Sequence, residues 1–443
     1  MYIYSDNRMT ASTSSTGSVP RGEEISISTT GEWTPELERW LRERAAEAGF
    51  DTAGVARVDA ADAAADSGES AAQLDAERFA AWVAAGRAGE MEYLKRRDEQ
   101  GVLLRSGVQV AMPWARSVVV CALNYNASGP LSIESAPSGT GWIARYAWSG
   151  QAAAGDNNAA AGTDATPDEL VPTDYHDQLL GRLRQVEAAI RERFPCETRC
   201  YVDTGPLVER AMAAKAGVGW IGKNTCVINQ ELGSWLLLGV VVTSIPVGDP
   251  AQSSGSKISG RKMQGAEFQI AADRCGSCTR CIDACPTDAL VAPYQMDASR
   301  CIAYLTIEKK GVIAEELREP MGRQVFGCDI CQDVCPWNRR APISASEGML
   351  ARPQMVNPAL EWLAAMDGPE FKRWFKGSPV ERTRRKRLLR NVAIAMGNSG
   401  EQRFLAQLKT WTAAEDPVLA EAAEWATNRI RRLESGHNQG ATA

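Results

Sequence analysis

At 443 residues with 44% apolar side chains, the chain is long enough for two or three domains and can bury real cores. Its net charge of −6 argues against a protein that coats nucleic acid indiscriminately, while leaving room for a local basic patch. Histidine is nearly absent, with only His176 and His437, so the chemistry must work without a histidine-rich metal site or a His-based triad.

Residues 1–31 are rich in Ser, Thr and Gly without apolar periodicity and read as a disordered leader. The N-terminus has no signal-peptide core and no twin-arginine pair. No apolar run reaches membrane-spanning length, so a reducing cytoplasm is expected and a membrane partner is not. Thr34-Pro35 caps and opens an amphipathic helix through Leu37, Trp40, Leu41 and Ala45 to Gly49, and the strand Thr52–Val58 follows. A helix around 71–86 leads past Arg105 to the Met112-Pro113 turn. Ser117–Leu123 is a β-branched run typical of a buried central strand. Residues 127–173 read as a low-complexity insertion that is largely disordered, with ordered flanks at 145–148 and at Asp174-Tyr175-His176, which opens a helix to about Phe194. The strand 199–202, a helix 206–216 and the apolar strand 234–243 complete an α/β or α+β domain over 34–245.

Tyr201-Val-Asp203-Thr-Gly-Pro206 ends a strand and starts a helix, which makes Asp203 either an N-cap or a proton donor. Gly217-Val-Gly219-Trp-Ile-Gly222 matches G-x-G-x-x-G. It follows a helix and enters a strand, the reverse of a dinucleotide fingerprint, so it is a helix cap and turn or a close approach to a bulky group.

After a linker over 246–269 comes the most specific signal in the chain. Cys275, Cys278, Cys281 and Cys285-Pro286 have the C-x2-C-x2-C-x3-C-P spacing of a bacterial [4Fe–4S] cluster, whose fourth cysteine reaches the other cluster of a pair. Cys328, Cys331 and Cys335-Pro336 repeat it without the first cysteine, Val325 standing there, and Cys301 is the substitute. The segment 302–327 is then expected to fold out and return. The crossed rule groups Cys275, Cys278, Cys281 and Cys335 on one cluster, and Cys285, Cys301, Cys328 and Cys331 on the other. Zinc or disulfides are the bland alternatives, and neither calls for a Cys-Pro closing each half. Cys121, Cys196, Cys200 and Cys226 read as free buried thiols. The two-cluster ferredoxin-like module spans 270–340.

Residues 358–435 read as helical and basic. Lys372, Arg373, Lys376, Arg382, Arg384, Arg385, Lys386, Arg387 and Arg390 face only Glu370 and Glu381 within 370–390, a run that suits phosphates. Val392–Met396, Leu405–Trp411 and Val418–Ile430 read as helix pairs of a short HEAT-like solenoid.

The stretches 202–225, 274–290 and 327–338, with the basic tail, resemble the epoxyqueuosine reductase family, cobalamin-dependent iron–sulfur enzymes of tRNA queuosine synthesis; the likeness covers about 34–435. The resemblance implies an α+β multidomain protein with an α/β cobalamin domain, the ferredoxin-like module and the HEAT-like repeat. It implies Asp203 as proton donor over the cobalt face, and base-off cobalamin contacts from Arg105, Ala144, Asp203, Asn224, Val227, Leu238, Ala303, Cys328 and Asp329. Electrons would pass through both clusters to cobalt, reduced to cob(I)alamin, and the epoxide of a wobble nucleoside would become an alkene with loss of water. A tRNA anticodon stem-loop would be held by Lys309, Lys310, Arg382, Arg385 and Lys386. A ferredoxin- or flavodoxin-type donor and a monomeric state are expected. The insertions 149–173 and 247–268 would have to loop out to solvent. A reductive dehalogenase-like enzyme or an electron-transfer subunit are the competing readings. The first typically carries an export signal, and the second leaves Asp203 idle.

Overall fold

The run Ser117–Asn124 is buried at every position because it lies inside a four-stranded sheet, in the order Thr52–Arg57, Ser117–Asn124, Leu236–Thr243, Thr198–Tyr201. A computed structural model describes residues 31–58, 71–152, 170–248 and 273–440. Alternate side chains of the central strand serve opposite faces. Val119, Cys121 and Leu123 pack with Leu41, Leu179, Leu183 and Ile190 of the helices Pro35–Glu47 and Tyr175–Arg193. Val118, Val120 and Ala122 pack with Leu207, Ala213 and Val218 on the other face. Burial on both faces explains why the strand lacks polar alternation.

Every pairing in this sheet is antiparallel. The α/β label given to the domain is therefore corrected to α+β. Strands alternate with helices along the chain, which is the sequence signature of a parallel crossover. The helix Tyr175–Arg193 does cross from Ser117–Asn124 to Thr198–Tyr201, but Leu236–Thr243 lies between those two strands and pairs antiparallel with both. The 127–173 insertion is also narrower than expected. Trp142–Ile143, Ser149–Ala152 and Leu170–Pro172 are strands, and Arg145, Ala147 and Trp148 are buried. The rest of it, 153–169, lies outside the described residues, as do the leader before Gly31 and the linker beyond Gly248.

Segment 302–327 does not fold out. Its strand Gln324–Phe326 pairs in parallel with Trp142–Ile143, and Ile302, Leu305, Val325 and Phe326 enter one core with Leu360, Phe375, Val392 and Ile430 of the C-terminal helices. Those helices are Leu360–Ala365, Gly368–Phe375, Arg384–Ser399, Leu405–Thr412 and Pro417–Gly440. Gly397 lets two of them cross closely, since a Cβ there would lie 2.8 Å from Ala426 Cα. The cysteine-rich module is fastened to the sheet domain through Gln332, whose Nε2 donates to Tyr125 Oη at 3.0 Å and whose Oε1 accepts from Ser234 Oγ at 3.0 Å.

Candidate active site and cluster centre

Asp203 follows the edge strand Thr198–Tyr201 and holds a left-handed φ of 55°, a conformation a non-glycine residue adopts only when its surroundings fix it. Those surroundings are explicit. Arg105 donates from Nη2 to the Asp203 carbonyl at 3.4 Å and from Nη1 to the Leu207 carbonyl at 3.0 Å, which pins the loop. Tyr175 Oη donates to Asp203 Oδ2 at 2.5 Å, and His176 Nε2 lies 3.9 Å from the same oxygen. Asp203 is not a helix cap: the next helix is Glu209–Lys215, and its cap residue is Val208, which makes no side-chain bond. The backbone is thus fixed while the carboxyl stays half-exposed, open to a reacting group.

A second layer orients this group. Asp174 caps the helix Tyr175–Arg193, accepts from His176 N at 2.9 Å and contacts His176 Nδ1 at 3.0 Å. Burial opposes its ionisation, but His176 and the Arg382 charge hold its carboxyl below the usual range. Arg382 reaches both Asp174 oxygens, at 2.7 and 2.6 Å, and its guanidinium lies 5.2 Å over the Tyr175 ring. Burial and the neighbouring Asp203 charge raise the Tyr175 phenol well above its ordinary pKa, so it remains a hydrogen-bond donor. Glu209, behind Asp203, is pushed up by burial and then by the Asp203 charge. Sequence reading gives no role to Tyr175, His176 or Glu209; the acidic and aromatic residues flanking Asp203 in the strand–loop–helix segment are the available signal for Glu209.

The glycines at 217–222 serve their own chain. Gly217, at φ 71°, ends the preceding helix. A Cβ on Gly219 would sit 2.4 Å from the Ile228 carbonyl, so the space is filled by the hairpin Trp220–Ile221/Val227–Ile228. The turn reading holds, and no bulky ligand is needed to explain these glycines.

The cysteines fall into two neighbourhoods. Cys335 packs with Cys275, Trp220 and Trp337, and lies close enough to Cys275 and Cys281 to feel their charge. Cys328 is coupled in the same way to Cys301 and Cys285, and Cys331 to Cys328 and Cys301. Cys335 thus lies by Cys275 and Cys281, and Cys328 by Cys285 and Cys301. The polar surroundings fit thiolate corners of a cluster. Backbone N–H groups of Ala303 and Tyr304 point at Cys301, that of Ile330 at Cys328 and that of Trp337 at Cys335. The buried Trp220 Nε1, without an oxygen or nitrogen partner, faces Cys275. Among the described residues no three His, Cys, Asp or Glu side chains converge as ligands of one ion. All twelve cysteines are free; Cys121 is fully buried and its thiol is pushed up to about 12. Cys226, expected as a free buried thiol, sits against Cys331. That contact, with Arg210 beside it, brings its thiol down to about 7 despite burial.

Arg210 bridges the two halves of the site. It lies near Asp203 on one side and Cys226, Cys331 and Cys301 on the other, and donates to the Thr225 carbonyl at 3.0 Å. The residues expected to hold cobalamin fall into local groups. Ala144 N donates to the Phe326 carbonyl at 2.8 Å, Arg145 N to Asp329 Oδ2 at 2.6 Å and Asn224 Nδ2 to the Cys331 carbonyl at 3.4 Å, which joins Ala144, Asn224, Cys328 and Asp329 at the second cysteine group. Val227 and Leu238 pack with Leu207 on the sheet face below Arg105 and Asp203. Ala303 lies on the helix Ile302–Ile307 after Cys301. Arg210 thus lies near both the Asp203 carboxyl and the cysteine group of Cys226, Cys301 and Cys331.

The basic run is partly internal, a correction to its reading as one phosphate-binding face. Arg390 is 1% exposed and donates to the carbonyls of Leu305, Lys309 and Gly311. Arg385 Nε donates to the Met366 carbonyl at 2.7 Å and Arg387 Nε to that of Thr383 at 2.8 Å, while Arg382 is engaged by Asp174. Lys309 is paired with Glu90, and Lys310 is exposed. Exposed along the run are Lys372, Arg373, Lys376, Arg384 and Lys386, the last 3.8 Å from Asp416, together with the Asp174-bound Arg382.

Comparison with known proteins bears on the whole chain. Residues 274–338 match the family model "4Fe-4S double cluster binding domain", and 105–204 match "Epoxyqueuosine reductase QueG, DUF1730". The epoxyqueuosine reductase of Xanthomonas campestris is 33% identical over 390 residues, covering 87% of this chain and 94% of the relative. The chain belongs to the epoxyqueuosine reductase family. The enzyme of that name from Gloeobacter violaceus is 36% identical, over 82% of this chain and 96% of its own. A crystal structure of epoxyqueuosine reductase with an epoxyqueuosine-modified tRNA-Tyr stem loop superposes with a TM-score of 0.70 at 28% identity, covering 89% of this chain and 90% of that one. Family membership is favoured over the dehalogenase-like and electron-transfer readings. Among the described residues no helix is long and apolar enough to cross a membrane.

Proposed function

We propose that the chain reduces epoxyqueuosine at the wobble position of tRNA to queuosine, with Asp203 protonating the departing oxygen. Opening the epoxide to the cyclopentene takes up two electrons and two protons and releases water. Cobalamin, held base-off at the space around Arg210, would supply the low-valent cobalt centre that acts on the epoxide, and two [4Fe–4S] clusters would supply its electrons from a ferredoxin- or flavodoxin-type donor. Cys275, Cys278, Cys281 and Cys335 would hold one cluster, and Cys285, Cys301, Cys328 and Cys331 the other. The observation that carries the reading is the placing of Asp203, fixed in strained backbone by Arg105 and Tyr175, across Arg210 from Cys301 and Cys331.

The chain's own residues do the following. Arg105 and Arg382 hold the two loops that flank the carboxyl, Tyr175 orients its reactive oxygen, and Asp174 and His176 fix Tyr175 at the start of its helix. The exposed lysines and arginines of 372–386, with Lys310, would lie along the stem-loop backbone, and the HEAT-like helices would carry them. Cytoplasmic location and a monomeric enzyme complete the proposal.

Anaerobic reconstitution with cobalamin, followed by mass analysis of nucleosides from epoxyqueuosine-modified tRNA, tests the activity. Absence of queuosine with both cofactors bound sinks it. Cys301→Ala is expected to lose one cluster, about half of the bound iron, and keep most of the other; full retention of both would remove Cys301 from the ligand set. Neutralising Lys372, Lys376 and Lys386 together should flatten the salt dependence of stem-loop binding, by roughly 0.7–0.9 in log–log slope for each phosphate that the variant no longer neutralises. An unchanged slope would make the run a solvated face.

A further inference from the structure

Residues 90–105 are fastened to the 302–327 segment at one end and to the Asp203 loop at the other. Glu90 N donates to Tyr304 Oη at 2.8 Å, the Glu90 carboxylate pairs with Lys309, and Met91 packs against the core of the C-terminal helices. A single 3-10 turn follows at Glu92–Leu94, closed by Leu94 N on the Met91 carbonyl at 3.0 Å. Tyr93 in that turn is 47% exposed, and with Tyr294 it is one of two strongly exposed aromatic side chains among the described residues. The Tyr294 hydroxyl is bound to Asp273 beside the first cysteine group. Tyr93 has a different neighbour: the Arg105 guanidinium lies 5.8 Å from its ring centre, and the same group donates to the Asp203 and Leu207 carbonyls. One side chain therefore separates the ring from the Asp203 loop.

The residues that follow form a tied turn. Asp98 Oδ1 accepts from Gln100 N at 3.0 Å and from Val102 N at 2.8 Å, Arg97 bridges antiparallel to the buried Leu103, and Leu104 N donates to the Arg96 carbonyl at 2.9 Å. Arg97 donates from Nη1 to the Gly101 carbonyl at 2.6 Å, and Lys95 pairs with Glu92 at 2.7 Å. Arg96 stands exposed three residues after Tyr93, on backbone that the turn fixes. A lone exposed tyrosine means little. A tyrosine on fixed backbone, with one cation over its ring and an exposed guanidinium just beyond, has the parts that hold one nucleotide: a flat face for the base and a positive charge for the phosphate. A protein partner calls for contiguous apolar surface, whereas the exposed chain neighbours of Tyr93 are Glu92, Arg96 and Arg97.

We propose that Tyr93 stacks the flat base of the modified wobble nucleotide and that Arg96 meets a phosphate beside it, forming a nucleotide subsite separate from the basic run 372–386. This rests on the reading of the chain as an enzyme acting on tRNA. An enzyme that works on a base draws it out of its stack and needs a surface to receive it. With the epoxide end at Asp203, the ring next to Arg105 receives the base just outside the reacting end. Tyr93 is thus a binding residue and takes no part in bond making or breaking.

The test measures direct binding of two anticodon stem-loops to the cofactor-loaded enzyme under anaerobic conditions, one carrying epoxyqueuosine and one abasic at the wobble position. Wild type is expected to bind the modified loop more tightly. Tyr93→Ala should weaken the modified loop by roughly 5- to 150-fold, the effect of one lost base stack, and leave the abasic loop within about twofold. Tyr93→Phe keeps the ring and should stay close to wild type on both loops. Arg96→Gln should weaken both loops alike and flatten the salt dependence by roughly 0.7–0.9 in log–log slope. Equal weakening of both loops in Tyr93→Ala overturns the stacking role, since it marks a lost structural contact with Arg105. A Tyr93→Phe variant as weak as Tyr93→Ala overturns it too, as does a wild type that binds the two loops equally, a result that stands whatever the variants do. An unchanged slope in Arg96→Gln overturns the phosphate contact. Failure of the underlying reading shows separately, as wild-type enzyme that binds the modified loop and yields no queuosine.

Discussion

Asp203→Asn is expected to lower the single-turnover rate of epoxide reduction by roughly 10²–10⁴, the usual contribution of a positioned general acid. Asparagine is the informative replacement because it tolerates the left-handed φ of 55° almost as well as aspartate, whereas alanine would add backbone strain. Its amide oxygen can still accept from Tyr175 Oη, and the Arg105 contact is to the Asp203 carbonyl, which the change leaves in place. Folding and cofactor binding should therefore be nearly unaltered. A cap role predicts the opposite pattern, a loss of about 1 kcal/mol with activity kept, and no helix begins at this residue for it to cap. Thermal melting and rapid-quench product analysis on one preparation decide the matter. A rate loss under about tenfold would remove Asp203 from the proton-transfer step.

Local features are the legible part of the sequence. The central strand follows from an unbroken β-branched run, the helix Tyr175–Arg193 from its Asp174 cap, and the double-cluster domain from cysteine spacing. Strand direction is not legible, because alternation of strands with helices suits both parallel crossovers and the antiparallel returns seen here. Charge is the weakest guide. Lysine and arginine count alike in a sequence, but a guanidinium carries a fork of donors that can satisfy several carbonyls at once, and the chain uses Arg385, Arg387 and Arg390 in that way. Asp203 is legible as a candidate, while its partners are not. Tyr175 lies across the fold on another helix, Arg382 lies 208 residues after Asp174, and only tertiary packing brings them to one carboxyl.

Arg390 carries the second large effect, and on stability. Its guanidinium joins the helix Arg384–Ser399 to the segment after Cys301, donating to the Leu305 carbonyl at 2.6 Å, Lys309 at 2.8 Å and Gly311 at 2.7 Å, with Asn391 Oδ1 at 2.8 Å. The adjacent Asn391 Nδ2 spans the Thr306 and Val325 carbonyls at 2.9 Å each, so one turn of helix closes five backbone acceptors of the 302–327 segment. Arg390→Met keeps the packing of the stem and removes every donor. A buried acceptor left unpaired costs about 1–3 kcal/mol, and water can reach the half-buried Lys309 and Gly311 carbonyls more readily than that of Leu305, so a net loss of about 3 kcal/mol is expected. Lys386→Met, four residues earlier on the same helix and well exposed, should change stability by less than about 0.5 kcal/mol. Denaturant unfolding of the anaerobic holoprotein measures both. Because Leu305 lies on the helix that follows Cys301, Arg390→Met should also release iron from one cluster at lower denaturant than wild type. The salt slope of stem-loop binding separates the two arginine roles: it should be unaltered in Arg390→Met. A flattened slope with undiminished stability would show instead that Arg390 meets phosphate and that its buried carbonyl contacts are dispensable.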